Sequence, residues 1–123
     1  MTANDIVRAK VAKAKDFLAA AEIMRELDAY DAAVSLAVSA AIHASDALVL
    51  DFSGIMPSGQ DHHSAIALLK SATDRDTGRQ LDYVLNLKSK AQYAVQRCTA
   101  SEAAEVLKRA KRLVEKSKGF EIG

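Results

Sequence analysis

The chain has 123 residues, a formal net charge of +1, one proline, no tryptophan and a single cysteine, Cys98. A chain of this length can bury roughly two thirds of its unfolded surface, so one domain spanning residues 1–123 is expected to fold without disulfide or metal cross-links. The lone cysteine excludes an intramolecular disulfide and a zinc site built of cysteines, and with the lack of a signal-peptide pattern it predicts a cytoplasmic protein.

Hydrophobic residues recur at helical spacing along the chain and predict five helices, which together make an all-α fold. The first helix is expected to begin with Asn4 or Asp5 as its cap and to end near Leu27. Its inner row consists of apolar residues spaced by three and four, namely Val7, Val11, Ala14, Leu18 and Ala21.

The second helix is expected to begin at Asp28 or Asp31 and to end near Phe52. Within it, residues 32–45 contain no Asp, Glu, Lys or Arg and are mostly Ala and Val. A helix that is apolar on nearly every side is surrounded by other helices, so this one is expected to form the centre of a bundle. Its uninterrupted apolar length is short of the roughly 20 residues that a membrane span requires, which predicts no membrane insertion.

One face of this central helix nevertheless carries four polar residues at helical spacing. This polar stripe consists of Ser35, Ser39, His43 and Asp46. Ser, His and Asp are the residue types of a hydrolase triad, but the amides in mid-helix are already used in helix hydrogen bonds and cannot form an oxyanion hole. A structural role for the stripe is therefore preferred.

A loop at residues 53–60 leads to a short third helix that Asp61 or Ser58 caps and that ends near Ala72. Its inward residues are Ile66 and Leu69. The connections between helices are short and place neighbouring helices antiparallel. The predicted architecture is therefore an up-down antiparallel four-helix bundle with one additional short helix.

The fourth helix is expected to begin at Thr77 or Gly78 and to end near Arg97, with an inner row of Leu81, Val84 or Leu85, Ala91 and Val95. Thr99 and Glu102 have the spacing of a capping box and predict the start of the fifth helix. The fifth inner row consists of Ala103, Val106, Leu107, Ala110, Leu113 and Val114.

Charge is divided unevenly between the two halves of the chain. Residues 1–62 hold five Lys or Arg against nine Asp or Glu, whereas residues 63–123 hold twelve against seven. This asymmetry favours docking of an anionic partner on the basic half or pairing with an acidic protein, although ordinary surface solubility explains it equally well.

The order of these segments resembles the HEPN domain. The resemblance is carried by YDAAVSLAVSAAIHASDALVL, a loop, DHHSAIALLK, LNLKSKAQY and the basic helix AAEVLKRAKRLVEK, and it covers about residues 11–116. It implies a helical bundle that usually forms a homodimer and that is often encoded beside a minimal nucleotidyltransferase as a toxin and antitoxin pair.

The RNA-cutting members of this family carry an Arg followed, after four to six residues, by a His. Here the corresponding positions hold Lys88 and Tyr93, and no Arg in the chain precedes a His at that spacing. A phenol has a reference pKa near 10 and is a poor proton shuttle at pH 7. The resemblance therefore implies a catalytically degenerate member, and no catalytic residue is assigned.

His62 and His63 open the third helix, where free amides and the helix dipole favour anions. The family often has a His at this place, which implies contact with phosphate or RNA or a role in organising the preceding loop, but packing of one imidazole against a neighbouring helix is the preferred interpretation. A metal site needs three or four converging ligands, and the spacing of the histidines matches no zinc pattern. No metal and no cofactor are expected.

The fourth predicted helix carries cations and aromatic rings on a single face. This predicted basic-aromatic stripe consists of Arg79, Tyr83, Asn86, Lys90, Tyr93 and Arg97. Such a stripe can grip phosphates and stack bases, or it can form a protein interface, where Tyr and Arg are enriched. The interface interpretation is preferred.

These observations predict a homodimeric interaction module of a toxin-antitoxin, phage-defence or nucleotidyltransferase-linked system, which binds a protein partner and also RNA or a nucleotide. Two alternatives stay open. One is a metal-independent ribonuclease that uses Lys88, His63 and Tyr93, and the other is a purely structural oligomerisation bundle.

Overall fold

Helices account for most of the computed structural model, which describes residues 1–59 and 61–119. Six helical segments occur there: α1 (Ala3–Glu26), α2 (Tyr30–Ser53), α3 (His62–Ala72), α4 (Arg75–Asn86), α5 (Lys88–Gln92) and α6 (Ala100–Ser117). These two stretches contain no β-strand. The predicted all-α class is therefore confirmed.

The four main helices, α1, α2, α4 and α6, alternate in direction. Asp31 at the start of α2 accepts a hydrogen bond from the backbone N–H of Cys98 just before α6, so α2 and α6 begin at the same end. Asp74, just before α4, pairs with Lys116 near the end of α6 at 2.8 Å, so α4 and α6 are antiparallel. The predicted up-down bundle is confirmed, with α3 as the additional short helix.

The centre of the bundle is α2. Ala37, Val38 and Ala41 are at most 1% exposed, and α2 packs against α1, α3, α4, α5 and α6. By length and composition α2 could also cross a membrane, but 67% of its most apolar window is buried inside the fold. The apolar residues of α2 therefore form the core, and their small side chains let the neighbouring backbones approach closely.

The inner rows predicted for the first and last helices are correct. Every residue predicted for the row on α1 is buried, and so is every residue predicted for the row on α6. On α3, Leu69 is fully buried while Ile66 is half-buried and packs against the core. Helical periodicity identifies the buried residues of α1 and α6 because each of these helices has one solvent-exposed face and one buried face.

Several predicted helix ends are wrong by a few residues. Thr2, not Asn4 or Asp5, caps α1. Its hydroxyl accepts from the N–H of Asp5, and the Asp5 carboxylate accepts from the N–H of Thr2. Ala29 precedes α2 and provides no side-chain cap, so neither predicted aspartate begins that helix.

The start of α4 is also earlier than predicted. Asp74 caps α4 by accepting from the N–H of Thr77 at 2.8 Å, so Thr77 and Gly78 lie inside the helix. The predicted cap Asp61 on α3 is confirmed, and so is the capping box of Thr99 and Glu102 on α6. In α1 and α4, a side chain upstream of the predicted cap accepts from the free amides at the start of the helix.

The fourth predicted helix is not continuous. α4 ends at Asn86, Leu87 forms a turn in which its N–H donates to the carbonyl of Val84, and α5 adds only one turn and ends at Gln92. Leu87 and Ala91 pack against the core. Val95, predicted to face inward, is fully exposed in the segment that follows.

Candidate functional site

The residues predicted to form the site occupy three separate places. Lys88 and His62 line one cavity at the side of α2. Tyr93 and Arg97 belong to an exposed turn after α5, and Tyr83 lies on α4 beside α6. The single basic-aromatic stripe expected on one helix is therefore wrong, because the helix is interrupted at Leu87 and α5 ends at Gln92, before Tyr93 and Arg97.

The side cavity measures about 180 Å³ and opens between α2, the loop before α3, and the junction of α4 and α5. Its lining consists of Ile42, Asp46, Pro57, Ser58, Gly59, Asp61, His62, Ala65, Leu85 and Lys88. His63, the next residue after His62, is exposed and does not line it. The structure thus brings Lys88 and His62 together and leaves His63 outside.

Both carboxylates of the side cavity have other partners. Asp46 pairs with Lys10 of α1 at 3.1 Å. Asp61 caps α3 by accepting from the N–H of Ser64 at 2.8 Å, and this backbone hydrogen bond is the main reason that the pKa of Asp61 is lowered. The cavity therefore has one ammonium, one imidazole and two carboxylates, of which Asp46 is paired with Lys10 and Asp61 caps α3.

The polar stripe lies on a half-buried side of α2 next to α1. The Ser39 hydroxyl donates to the carbonyl of Ser35 at 3.4 Å. The ring of His43 stacks on Phe17 with centroids 5.5 Å apart and an interplanar angle of 9°. His43 Nδ1 is buried and has no hydrogen-bond partner among the described atoms.

Burial is the main reason that the pKa of His43 is lowered, and the neighbouring Lys10 ammonium lowers it further. Asp46 acts in the opposite direction but is itself engaged by Lys10. In this arrangement His43 is a neutral packing partner of Phe17, and Ser39 directs its hydroxyl to the helix backbone rather than to an imidazole.

The turn between α5 and α6 exposes several side chains, while contacts at both of its ends hold it to the bundle. We call residues 93–97 the α5–α6 turn; within it the ring of Tyr93 is 80% exposed and Val95 is completely exposed. At its end, Asp31 accepts from the N–H of Cys98 at 2.8 Å and lies 3.9 Å from the Arg97 guanidinium.

The start of the α5–α6 turn is fixed as well. Lys90 on α5 reaches both carboxylate oxygens of Glu102 on α6, at 2.9 and 3.0 Å. That hydrogen bond is the main reason that the pKa of Lys90 is raised. Lys90 was predicted to be a cation of the exposed basic-aromatic stripe. Instead it forms an ion pair that connects α5 to α6.

Tyr83 points to α6 and not to Tyr93. The Arg109 guanidinium lies over the Tyr83 ring, 4.7 Å from its centroid. Arg109 and its neighbour Arg112 were not predicted as site residues, because α6 reads as an ordinary basic face. The signal was the four-three spacing of Glu105, Arg109 and Arg112, which places all three on one side of α6.

Within residues 1–59 and 61–119 no group of three or more His, Cys, Asp or Glu side chains could hold a metal ion. His62 and His63 lie in different surroundings, and Asp46 and Asp61 have partners of their own. The site is therefore made of open surfaces and one shallow cavity.

An alternating bundle around an apolar central helix, with a short helix and a side cavity between α2 and the junction of α4 and α5, defines a small α-helical bundle domain. The chain belongs to the HEPN domain family, because the family model of the HEPN domain matches residues 7–120. The predicted family is thus confirmed. The comparison with curated proteins gave no match.

Proposed function

We propose that this HEPN domain is an interaction module that acts as a homodimer and does not cleave RNA. The observation that supports the proposal best is the α5–α6 turn, where Tyr93 and Val95 are exposed on a base fixed by Asp31. A rigid turn with an exposed aromatic ring pays little conformational entropy on binding.

The composition of this end of the bundle suits a protein interface. Tyr and Arg are enriched in interfaces, and the turn offers Tyr93 and Arg97. At the same end, α1 finishes with Ile23 and Leu27, which are 54% and 68% exposed. Exposed large apolar side chains at this end of the bundle support its use as an interaction surface.

The absence of RNA cleavage in this proposal rests on the residues at the positions of the family motif. Lys88 stands where the catalytic Arg is expected and lines the side cavity, whereas Tyr93 stands where the His is expected and points to solvent. An exposed phenol is a poor general base at pH 7.

The biological setting that we propose is a cytoplasmic toxin-antitoxin, phage-defence or nucleotidyltransferase-linked system. The family resemblance supports a minimal nucleotidyltransferase as the protein partner. The acidic first half and basic second half of the chain support pairing with a partner of complementary charge.

Light scattering at micromolar concentration tests the proposed dimer. The wild-type protein should have the mass of a dimer, and the double variant Tyr93→Ser with Val95→Ser should be monomeric. The matched control replaces Phe52 and Ile55 by Ser, because these residues are also exposed but lie at the opposite end of α2. A monomeric wild type, or a dimer that survives the first double variant, would contradict the proposal.

A second candidate function, metal-independent RNA cleavage, is favoured by one observation. The side cavity joins Lys88 to His62, so an ammonium and an imidazole lie in one place although they are far apart in sequence. His62 thereby replaces His63 as the proton-transfer group of this alternative.

Incubation of the folded wild-type dimer with single-stranded RNA and a metal chelator decides between the two functions. Cleavage that is abolished by His62→Ala but retained in His63→Ala would establish the enzyme. A dimer that neither cuts RNA nor captures a nucleotidyltransferase would leave the purely structural oligomerisation bundle.

A further inference from the structure

Two arginines of α6 converge on one side chain of α4. Arg109 and Arg112 each place Nη1 3.5 Å from Oε1 of Gln80. Gln80 is only 5% exposed, so the acceptor is fixed inside the bundle while the Arg112 side chain reaches solvent. Two positive charges are thus held beside a single neutral oxygen.

The orientation of Gln80 is fixed by its other end. Its amide Nε2 donates to the Asp76 carboxylate at 3.4 Å, which leaves the carbonyl oxygen facing the arginines. The Arg109 guanidinium is held from below by the Tyr83 ring and from the side by Glu105, whose carboxylate accepts from Nε at 3.0 Å.

These contacts leave most of the donors of the two guanidiniums unused. The bonds to Gln80 are long, and an amide oxygen is neutral, so neither satisfies a guanidinium fully. We call this group of Gln80, Arg109 and Arg112 the α4–α6 cleft.

We infer that the α4–α6 cleft binds a phosphate group. A guanidinium offers two parallel N–H donors that match two phosphate oxygens, and two guanidiniums that converge on one point can share a single phosphate. Such a group occurs as the phosphodiester of a single-stranded polynucleotide or as the terminal phosphate of a small molecule. The inference stands apart from the proposed dimer, which uses the α5–α6 turn.

Fluorescence anisotropy tests the inference with a short oligouridylate that carries a 5′-hydroxyl and a 3′-fluorescein. Arg112→Gln removes one guanidinium from the solvent side of the cleft and should weaken binding about tenfold, as expected for a lost charge-assisted hydrogen bond. The slope of log affinity against log salt should fall by about 0.7, the value for one phosphate contact on a single strand.

Arg25→Gln is the matched control, because Arg25 is an exposed arginine in the last turn of α1. It makes the same change in net charge and should alter affinity less than twofold. Arg112→Lys keeps the charge but loses the planar donor pair, so its affinity should lie between those of the wild type and Arg112→Gln.

Pyrophosphate distinguishes the two sources of the phosphate. If it displaces the oligonucleotide and its own binding is weakened by Arg112→Gln, the cleft takes terminal phosphates; if it does not compete, the cleft takes the polynucleotide backbone. The inference is overturned if neither probe binds, if Arg25→Gln and Arg112→Gln weaken binding equally, or if polyglutamate binds as tightly as the oligonucleotide. Thermal unfolding by circular dichroism verifies that each variant is folded.

Discussion

Replacement of Asp31 by Ala should release the α5–α6 turn from the bundle. The Asp31 carboxylate accepts from the N–H of Cys98 across 67 residues of sequence and so ties the end of the turn to the start of α2. The variant removes a charged hydrogen bond from a half-buried position, and such bonds contribute about 1.5–3 kcal/mol.

The other contact of Asp31 contributes much less. Arg97 lies 3.9 Å away with its side chain 76% exposed, so solvent screens the ion pair. We therefore expect Asp31→Ala to lower the free energy of unfolding by about 2 kcal/mol, which corresponds to a fall in Tm of about 8 °C for a domain of this size.

The buried thiol of Cys98 reports the opening of the turn directly. Cys98 is 4% exposed, and burial raises its pKa to about 11, so it should react slowly with a thiol-specific disulfide reagent at pH 7. In Asp31→Ala the reaction should be at least about tenfold faster. A decrease of about 1.4 kcal/mol in the free energy of opening the turn raises the population of the open form tenfold.

The effect of Asp31 also has a defined pH dependence. The Cys98 N–H holds the pKa of the Asp31 carboxyl below its usual value, so the stabilisation is present above the unfolded pKa near 3.9 and is lost as the pH falls through the folded value. The difference between wild type and Asp31→Ala should narrow below about pH 4. Asp51→Ala, at the other end of α2, is the control and should change stability by less than about 0.5 kcal/mol. Equal urea midpoints and equal thiol rates for wild type and Asp31→Ala would refute the reasoning.

Three further substitutions test the fold and the stripe. Val84→Ala should lower the free energy of unfolding by about 2 kcal/mol in urea titrations, because Val84 is buried. The control Val95→Ala, at an exposed position, should alter it by less than about 0.5 kcal/mol. Equal losses in the two variants would show that Val95 is buried in the core. The lowered pKa of His43 predicts stability that is constant above about pH 6.5 and falls as the pH decreases, and His43→Phe but not His63→Gln should flatten this profile. Thr99→Ala should cost about 1 kcal/mol by loss of the cap on α6 while Thr99→Ser keeps it, and thermal unfolding compares the two.

The fold was predictable because its longest helices have a clear hydrophobic period. The rows on α1 and α6 could be read from spacing alone, and the lack of charge in residues 32–45 identified α2 as the centre. The end of α2 was predictable for a local reason, since Gly54 adopts the left-handed conformation with φ 74°, which glycine tolerates without strain. These signals lie within one helix and need no knowledge of its neighbours.

The break at Leu87 could not be predicted, because its cause lies elsewhere in the chain. The segment from Arg79 to Arg97 contains no proline and no glycine, and Gly78 just before it lies within α4. The sequence of this segment therefore predicts one continuous helix. Leu87 and Ala91 pack against the core, and the N–H of Cys98 donates to Asp31 of α2, so the contacts that hold this segment come from distant parts of the chain. Tertiary packing overrides local propensity at this point.

The interruption at Leu87 and the end of α5 at Gln92 divide the predicted basic-aromatic stripe between two surfaces. A straight helix would have placed Tyr83 and Tyr93 on one surface, where one partner would cover both. Instead Tyr83 supports Arg109 in the α4–α6 cleft, while Tyr93 stands free on the α5–α6 turn. Because the two surfaces share no residue, Arg112→Gln should reduce phosphate binding without changing the mass of the dimer. The double variant Tyr93→Ser with Val95→Ser should do the reverse, so a variant that loses both properties together while remaining folded would show that the two surfaces are one.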